Sequence, residues 1–339
     1  MTDVHIYSSI FIHILHKGQI NMTNEEWHKW WSTFLHDRKL LNKVRELDQI
    51  DALKGHDTLT EKICYEIYQN YDKIEKARSE IKNSLVNTLG QLEQVHLQSG
   101  RVKTKNSLIE KIIRKRYENI GSETSDYADI DSSNYLDIIT DIIGIRLIVN
   151  YRGKWQDIHN EILKRFPLKE LQAYDRVEHL PHIRGENFLA EIPVVYYAKG
   201  DSIEQYRLQH LVAKEHKKGY RSIHYVISYQ DCYVELQVRT IYDEAWSDCD
   251  HRYVYKHEAK PNNLALSSLS HILCIITNVA NDIGDNMHDI FEDNRFSGVA
   301  GSYWIASEKD IQFFKDRLVK LKEAEEDLKS FISKLKTTE

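Results

Sequence analysis

Four short segments of this chain hold the residues that can do chemistry. In YVELQVRT (233–240), Val234, Leu236 and Val238 alternate with Glu235, Gln237 and Arg239. A strand here turns an acid, an amide and a guanidinium to one side and apolar groups to the other. Upstream, EHKKGYRSIH (215–224) sets Gly219 before Tyr220 among Lys217, Lys218 and Arg221, then places Ser222 and His224 on one face of a second strand. A flat ring among cations suits a nucleobase with its phosphates, and equally an ordinary exposed turn. If 222–228 pairs with 232–239, His224 aligns with Glu235, Gln237 and Arg239. Such a polar row is either solvated or occupied by a ligand, because burying it empty is costly.

The third segment, RVKTKNSLIEKIIRKR (101–116), carries seven cations in sixteen residues of a chain whose net charge is -6. Ser107 followed by Glu110 has capping-box spacing, so a helix is expected from about 107, with Lys111, Arg114 and Lys115 on one face. Arg101, Lys103 and Lys105 precede its N-terminus, where the dipole already favours anions, and the combination suits a polyphosphate. The fourth segment is TDIIGIRLIV (140–149): Asp141 precedes an apolar run that contains Arg146. Five residues apart, the two fall on opposite faces of a regular strand, so either Asp141 lies before the strand or Gly144 marks a bulge. Alone, this pair reads as a turn cap and a structural ion pair. No Gly-x-x-x-x-Gly-Lys loop occurs, so side chains rather than a P-loop would hold a nucleotide.

The elements that must position these segments are read from apolar periodicity. Residues 60–97 repeat Ile63, Ile67, Tyr71, Ile74, Ile81, Leu85, Leu89 and Leu92 at helical spacing, and 264–291 and 311–335 carry similar stripes. Between them, strands at 142–149, 193–198, 220–228 and 232–240 alternate with helices at 154–166 and 241–256, the last burying Ile241, Ala245, Cys249 and Tyr253. His251 on that helix is expected to be structural. The expected class is α+β: a mixed central β-sheet flanked by long N- and C-terminal helices. The expected division is an N-terminal extension at 1–99, a central domain at 100–258 and a helical region at 259–339. The flanking helices are expected to make core contacts or a homo-oligomer interface.

Four scattered cysteines without a Cys-x-x-Cys pair fit a reducing compartment and apolar filling roles. The apolar opening at 4–15 is too short to span a bilayer, so a cytoplasmic chain with no membrane partner is expected. Met22 offers a second start, and residues 1–60 carry no readable role.

Together these segments resemble the synthetase domain of the RelA/SpoT family, the alarmone synthetases. The likeness covers about 100–256 and rests on R-x-K with Ser107 and Lys111, D-I-I-G-I-R, G-Y-R-S-I-H, and E-L-Q-V-R-T followed by A-W-S-D-C-D-H-R-Y-V-Y-K. The resemblance implies a nucleotidyltransferase-like synthetase fold for the central domain and a GTP diphosphokinase activity: pyrophosphate passes from ATP to the 3′-hydroxyl of GDP or GTP, with Mg²⁺ as cofactor. It further implies that Arg101 and Arg146 sandwich adenine, that Lys103, Lys111 and Arg114 hold ATP phosphates, and that Asp141 and Glu235 are the catalytic, metal-binding carboxylates. Lys218, Tyr220, Arg221, His224, Gln237 and Arg239 would receive the acceptor nucleotide. Where the family has a proline, a lysine and an asparagine before Gly-Tyr, this chain has EHKK, which leaves the acceptor open. The alternatives are a toxic member that pyrophosphorylates a tRNA 3′ end or adenosine nucleotides, with an antitoxin as partner, and an inactive nucleotide-sensing scaffold. Three His-Asp dipeptides occur, but about a hundred leading residues are too few for the family's hydrolase domain.

Overall fold

The computed structural model describes residues 22–53, 55–56, 58–122, 124–206, 210–255, 263–296 and 308–336. The apolar opening at 4–15 and Lys256 lie outside them. Three helices come first: α1 (Asn24–Asp37), α2 (Leu41–Leu53) and α3 (Leu59–Leu89). Thr23 and Glu26 close a capping box on α1, which turns Trp27, Trp31 and Phe34 inward. Next come β1 (Leu97–Val102), α4 (Lys105–Glu118), the single turn α5 (Tyr135–Ile138), β2 (Ile143–Val149) and α6 (Trp155–Arg165). The remainder comprises β3 (Phe188–Leu189), β4 (Val194–Tyr197), β5 (Val212–Glu215), β6 (Ser222–Tyr229), β7 (Cys232–Thr240), α7 (Ile241–Tyr253), α8 (Asn263–Phe296) and α9 (Glu308–Lys336).

Among the described residues the strands form one mixed sheet in the order β1-β2-β7-β6-β4-β5, with β3 also paired to β6. The β2–β7 and β4–β5 pairs are parallel and the others antiparallel. This is the expected α+β architecture with a mixed sheet. One sheet face buries Ile143, Ile145, Leu147, Ile223, Tyr225, Leu236 and Val238 against α6 and the C-terminal end of α3. Each fully buried aliphatic side chain there contributes roughly 1.5–3 kcal/mol.

The N-terminal helices continue this core rather than standing apart. Ile63, Ile67 and Tyr71 of α3 pack on Leu108 and Ile112 of α4, while Ile109 and Ile113 meet the tryptophans of α1. Arg116 of α4 is 5% exposed, donating to Asp51 Oδ2 at 3.1 Å and Thr60 Oγ1 at 2.7 Å. Helix α4 is therefore clamped on two sides, which fixes the side chains at its open face.

Several expectations need correction. The long helix ends at Leu89, not near 97, because the chain turns at Gly90 and enters β1 at Leu97. Helix α4 starts at Lys105, capped by Thr104 rather than Ser107, and Glu110 pairs across to Arg38 instead of closing a capping box. In α7 the buried positions are Asp243 and Trp246; Ile241 and Tyr253 are exposed, because the helix faces α8 with a polar seam. Asp141 lies before β2, which resolves its odd spacing from Arg146 without a bulge at Gly144.

Helices α8 and α9 pack together, with Ile272 and Val279 of α8 and Ala324 of α9 buried. Leu269, Ile276, Ile283, Phe314, Leu318 and Leu328 of the two apolar stripes remain over a third exposed. Residues Leu264–Glu292 are long and apolar enough to cross a membrane. In this fold, however, α8 lies against α7, where Trp246 Nε1 donates to the Ser270 carbonyl at 3.0 Å.

Candidate active site

The polar face of the sheet collects the segments identified from sequence. Register sets Gly144 opposite both Arg101 and Glu235, and sets Gln237 opposite Arg146 and His224. Since side chains alternate along each strand, Arg101, Arg146, Glu235, Gln237, Arg239 and His224 share one side. Gly144 leaves room there: a Cβ at that position would lie 3.8 Å from Cγ and Nε of Arg101, which rests over the glycine.

At one end, Asp141 sits between Lys111 Nζ at 2.9 Å and Lys103 Nζ at 3.2 Å. Burial pushes the Asp141 carboxyl up, but the two ammonium groups outweigh it and hold it below the usual carboxylate range. Burial also lowers Lys103, which Asp141 only partly offsets. Lys103 is fixed by its own backbone, whose N–H donates to the Ile142 carbonyl at 2.8 Å and whose carbonyl accepts from the Tyr71 hydroxyl at 2.5 Å.

Only part of the basic segment faces this point. Lys105 pairs with Asp72 and lies 4.0 Å from the Tyr68 ring centroid, Arg116 is buried on Asp51, and Arg114 and Lys115 pair with Glu118. The structure thus corrects the seven-cation cluster: Arg101, Lys103 and Lys111 converge, whereas Arg114 is partly exposed and bound along its own helix. Arg101 makes no ion pair among the described residues.

At the other end, Glu235 accepts from Gln237 Nε2 at 2.8 Å and lies 3.6 Å from His224 Nδ1. Burial raises Glu235, yet His224 outweighs it and holds the carboxyl low. The Tyr220 hydroxyl is 2.9 Å from His224 Nε2 and accepts from Arg239 Nη2 at 3.0 Å. Arg239 is 4% exposed, lies 5.2 Å from the Tyr220 ring centroid, and donates to Ser247 Oγ at 2.8 Å. It acts as a buried prop for Tyr220. Lys218 lies exposed on the loop before Gly219. Arg221 corrects the expected set: it lines a cavity of about 50 Å³ on the opposite face and is held by Asp201 at 2.7 and 3.0 Å. The reason is alternation, since Arg221 directly follows Tyr220.

Three further residues complete the face. Glu244, at the start of α7, bridges Arg146 at 2.7 Å and Arg239 at 3.2 Å; its place in the first turn after a capping Thr240 was the readable signal. Tyr196 on β4 meets His224 edge-on at 4.8 Å and Tyr220 at 5.8 Å. Glu191 lies on a bulge: between the β3 and β4 pairings five residue steps oppose three on β6, and the N–H groups of Ala190 and Glu191 both donate to the Val226 carbonyl, at 2.8 and 3.4 Å. Burial first, then the charges of Glu235 and Glu178, push the Glu191 carboxyl up to about 7. A charged residue inside the apolar run FLAEIPVV was its signal.

The donor set suits magnesium bound through a substrate. Asp141 Oδ1 is buried and has no hydrogen-bond donor beyond the Lys111 ammonium. No group of three or more His, Cys, Asp or Glu side chains gathers for a metal among the described residues. Asp141, just before β2, and Glu235, within the neighbouring β7 and near enough to feel the Asp141 charge, can supply the one or two carboxylates that Mg²⁺ takes when phosphates and water fill its other positions.

Residues 100–260 match the family model described as the region found in RelA / SpoT proteins. The match runs from within β1 to beyond the end of α7. No curated protein matches the chain. Among solved structures, a GTP pyrophosphokinase family protein from Streptococcus pneumoniae is 18% identical over 67% of this chain and 93% of its own, with a TM-score of 0.43. The small alarmone synthetase 1 from Bacillus subtilis is 16% identical over 66% of this chain and 94% of its own, at 0.41. The same synthetase bound to its product pppGpp gives 16% identity, 66% and 93% coverage, and 0.39.

Proposed function

We propose that this protein transfers pyrophosphate from ATP to the 3′-hydroxyl of GDP or GTP, forming (p)ppGpp and AMP. The acceptor oxygen attacks the β-phosphorus, the bond between the α,β-bridging oxygen and that phosphorus breaks, and AMP carries the electron pair away. The observation that carries the reading is that four segments distant in sequence meet on one sheet face of a RelA/SpoT domain, cations at one end and an aromatic-imidazole-carboxylate row at the other.

In this reading Lys103 and Lys111 neutralise triphosphate oxygens, and Arg101 over Gly144 flanks adenine with Arg146 on the diagonal position of the next strand. Diagonal neighbours lie about 7–8 Å apart, a gap that admits one flat ring. Tyr220, propped by Arg239, packs on the acceptor base, while His224 and Gln237 orient its phosphates or sugar. Glu235, ionised and held by Gln237, is placed to accept a hydrogen bond from the attacking hydroxyl. Bound through Asp141 and Glu235, Mg²⁺ would supply charge neutralisation at the phosphates. Alignment and charge cancellation carry such a transfer, so no covalent intermediate is needed.

One observation favours a second acceptor. Strand β5 is an exposed edge, and Lys214, Lys217 and Lys218 lie exposed along it and the loop before Tyr220, a surface that suits a tRNA 3′ end. Terminally labelled ATP offered with Mg²⁺ and GDP, GTP, ATP or tRNA separates the readings. Label on guanosine nucleotide with AMP release is expected; label on tRNA or an adenosine nucleotide replaces the acceptor, and no AMP with any of them sinks the enzyme reading. The proposal extends to a cytoplasmic homo-oligomer, with the half-exposed stripes of α8 and α9 as contact surface. Analytical ultracentrifugation tests that part, and a monomer at micromolar concentration would refute it.

A further inference from the structure

We infer that α8, which begins beyond the RelA/SpoT region, is the positioning element of the acceptor half of the site, acting on Tyr220 through Cys274. Its kinetic readout rests on the proposed transfer, while its geometry does not.

Gly219 has φ +84°, and a Cβ there would come within 2.5 Å of Cys274 Sγ. The glycine is thus required twice, by backbone conformation and by the approach of α8. The sulfur, 9% exposed at the residue level, lies 3.8 Å from the Gly219 carbonyl oxygen and 3.9 Å from Arg221 Nη1. Arg221 Nη1 in turn donates to that carbonyl at 3.1 Å, with Asp201 gripping its other nitrogens. Both neighbours of Tyr220 are therefore held from behind the sheet, while the tyrosine itself projects in front.

Helix α8 is tied to the domain along its length. Ser270 receives Trp246 and donates to Asp250 at 2.7 Å, and Asn281 Nδ2 donates to Asp243 Oδ1 at 2.9 Å. Further on, Arg152 donates to Asp285 at 2.6 and 2.7 Å and pairs with Asp282, which also meets Arg317 of α9 at 2.8 Å. The register of α8 is therefore fixed, and Cys274 is presented to Gly219 as a stop. The donor half takes its support elsewhere, from Tyr71 and the clamped α4. A disturbance at Cys274 should move acceptor binding and leave ATP binding alone.

The test is second-site suppression in the full-length protein. Gly219→Ala should raise KM for the acceptor roughly tenfold or more, since small misplacements cost that much. KM for ATP should stay within about twofold. Adding Cys274→Ala to Gly219→Ala should recover a substantial part of the acceptor KM, because the vacated sulfur position admits the new methyl group. Cys274→Ser, which preserves size, should sit within about twofold of wild type throughout. Hydrogen–deuterium exchange of the 216–224 segment gives a readout that needs no activity: protection should fall in Gly219→Ala, return in the double variant, and hold steady for 101–116. If the wild type releases no AMP, the functional reading falls and the exchange result alone decides the positioning role. Absence of suppression in exchange, or equal changes in both KM values, would overturn the inference.

Discussion

Glu191 is a half-buried acid near the charges of two others, and its replacement by glutamine has a defined pH signature. Its carboxyl is pushed from an ordinary 4.5 up to about 7, by burial first and then by Glu235 and Glu178, with Lys214 and Lys111 offsetting part. Below pH 4.5 both folded and unfolded chains hold the proton and Glu191 has no net effect. Between pH 4.5 and 7 the unfolded chain loses its proton first, so stability falls as pH rises, and above 7 the cost is constant. At roughly 1.4 kcal/mol per pH unit the full cost is about 3 kcal/mol. Glu191→Gln removes it, so the variant should gain on wild type by about 2–3 kcal/mol between pH 5 and pH 8. Urea unfolding of both proteins in EDTA at pH 5, 6, 7 and 8 measures this difference, in which titrations common to the two cancel. A difference that stays flat across that range refutes the reasoning.

Other outcomes follow from the same contacts. Asp141→Asn leaves Lys103 and Lys111 without their shared anion; AMP release should fall by at least about 10²-fold while the circular dichroism spectrum is retained. Asp51→Ala strands Arg116 at 5% exposure and should cost about 3–5 kcal/mol in urea unfolding. Gly144→Val puts a branched side chain under Arg101 and should raise KM for ATP roughly tenfold, about 1.4 kcal/mol, with the acceptor KM unchanged.

Period-two alternation makes β6 and β7 legible, because one face has to be apolar to fill the core, and so the pattern alone aligns Glu235, Gln237 and His224. Arg146 reads from sequence only as a charge inside an apolar run, and the parallel register that sets it opposite Gln237 supplies its place. Alternation failed where spacing was ambiguous: Arg221 beside Tyr220 read as part of one cationic cluster, although adjacent strand residues point apart. In α7 an apolar four-residue step suggested a buried stripe, whereas the helix meets α8 through Asp243, Trp246 and Asp250. Arg116 and Lys105 looked like phosphate ligands because charge density carries no direction; Asp51 and Asp72, more than thirty residues away, claim them. The bulge that aims Glu191 depends on a pairing offset between β3, β4 and β6 that no local pattern encodes.

The parallel pairing of β2 with β7 places Ile143 beside Val234, about ninety residues later in the chain. Closing that long loop is slow relative to forming a helix or the β6–β7 hairpin. The carboxylates on either side of this seam therefore come together only after the most distant contact in the sheet has formed. During refolding, ellipticity and burial of the tryptophans in α1 would recover first, and catalytic competence would return as a separate, later phase.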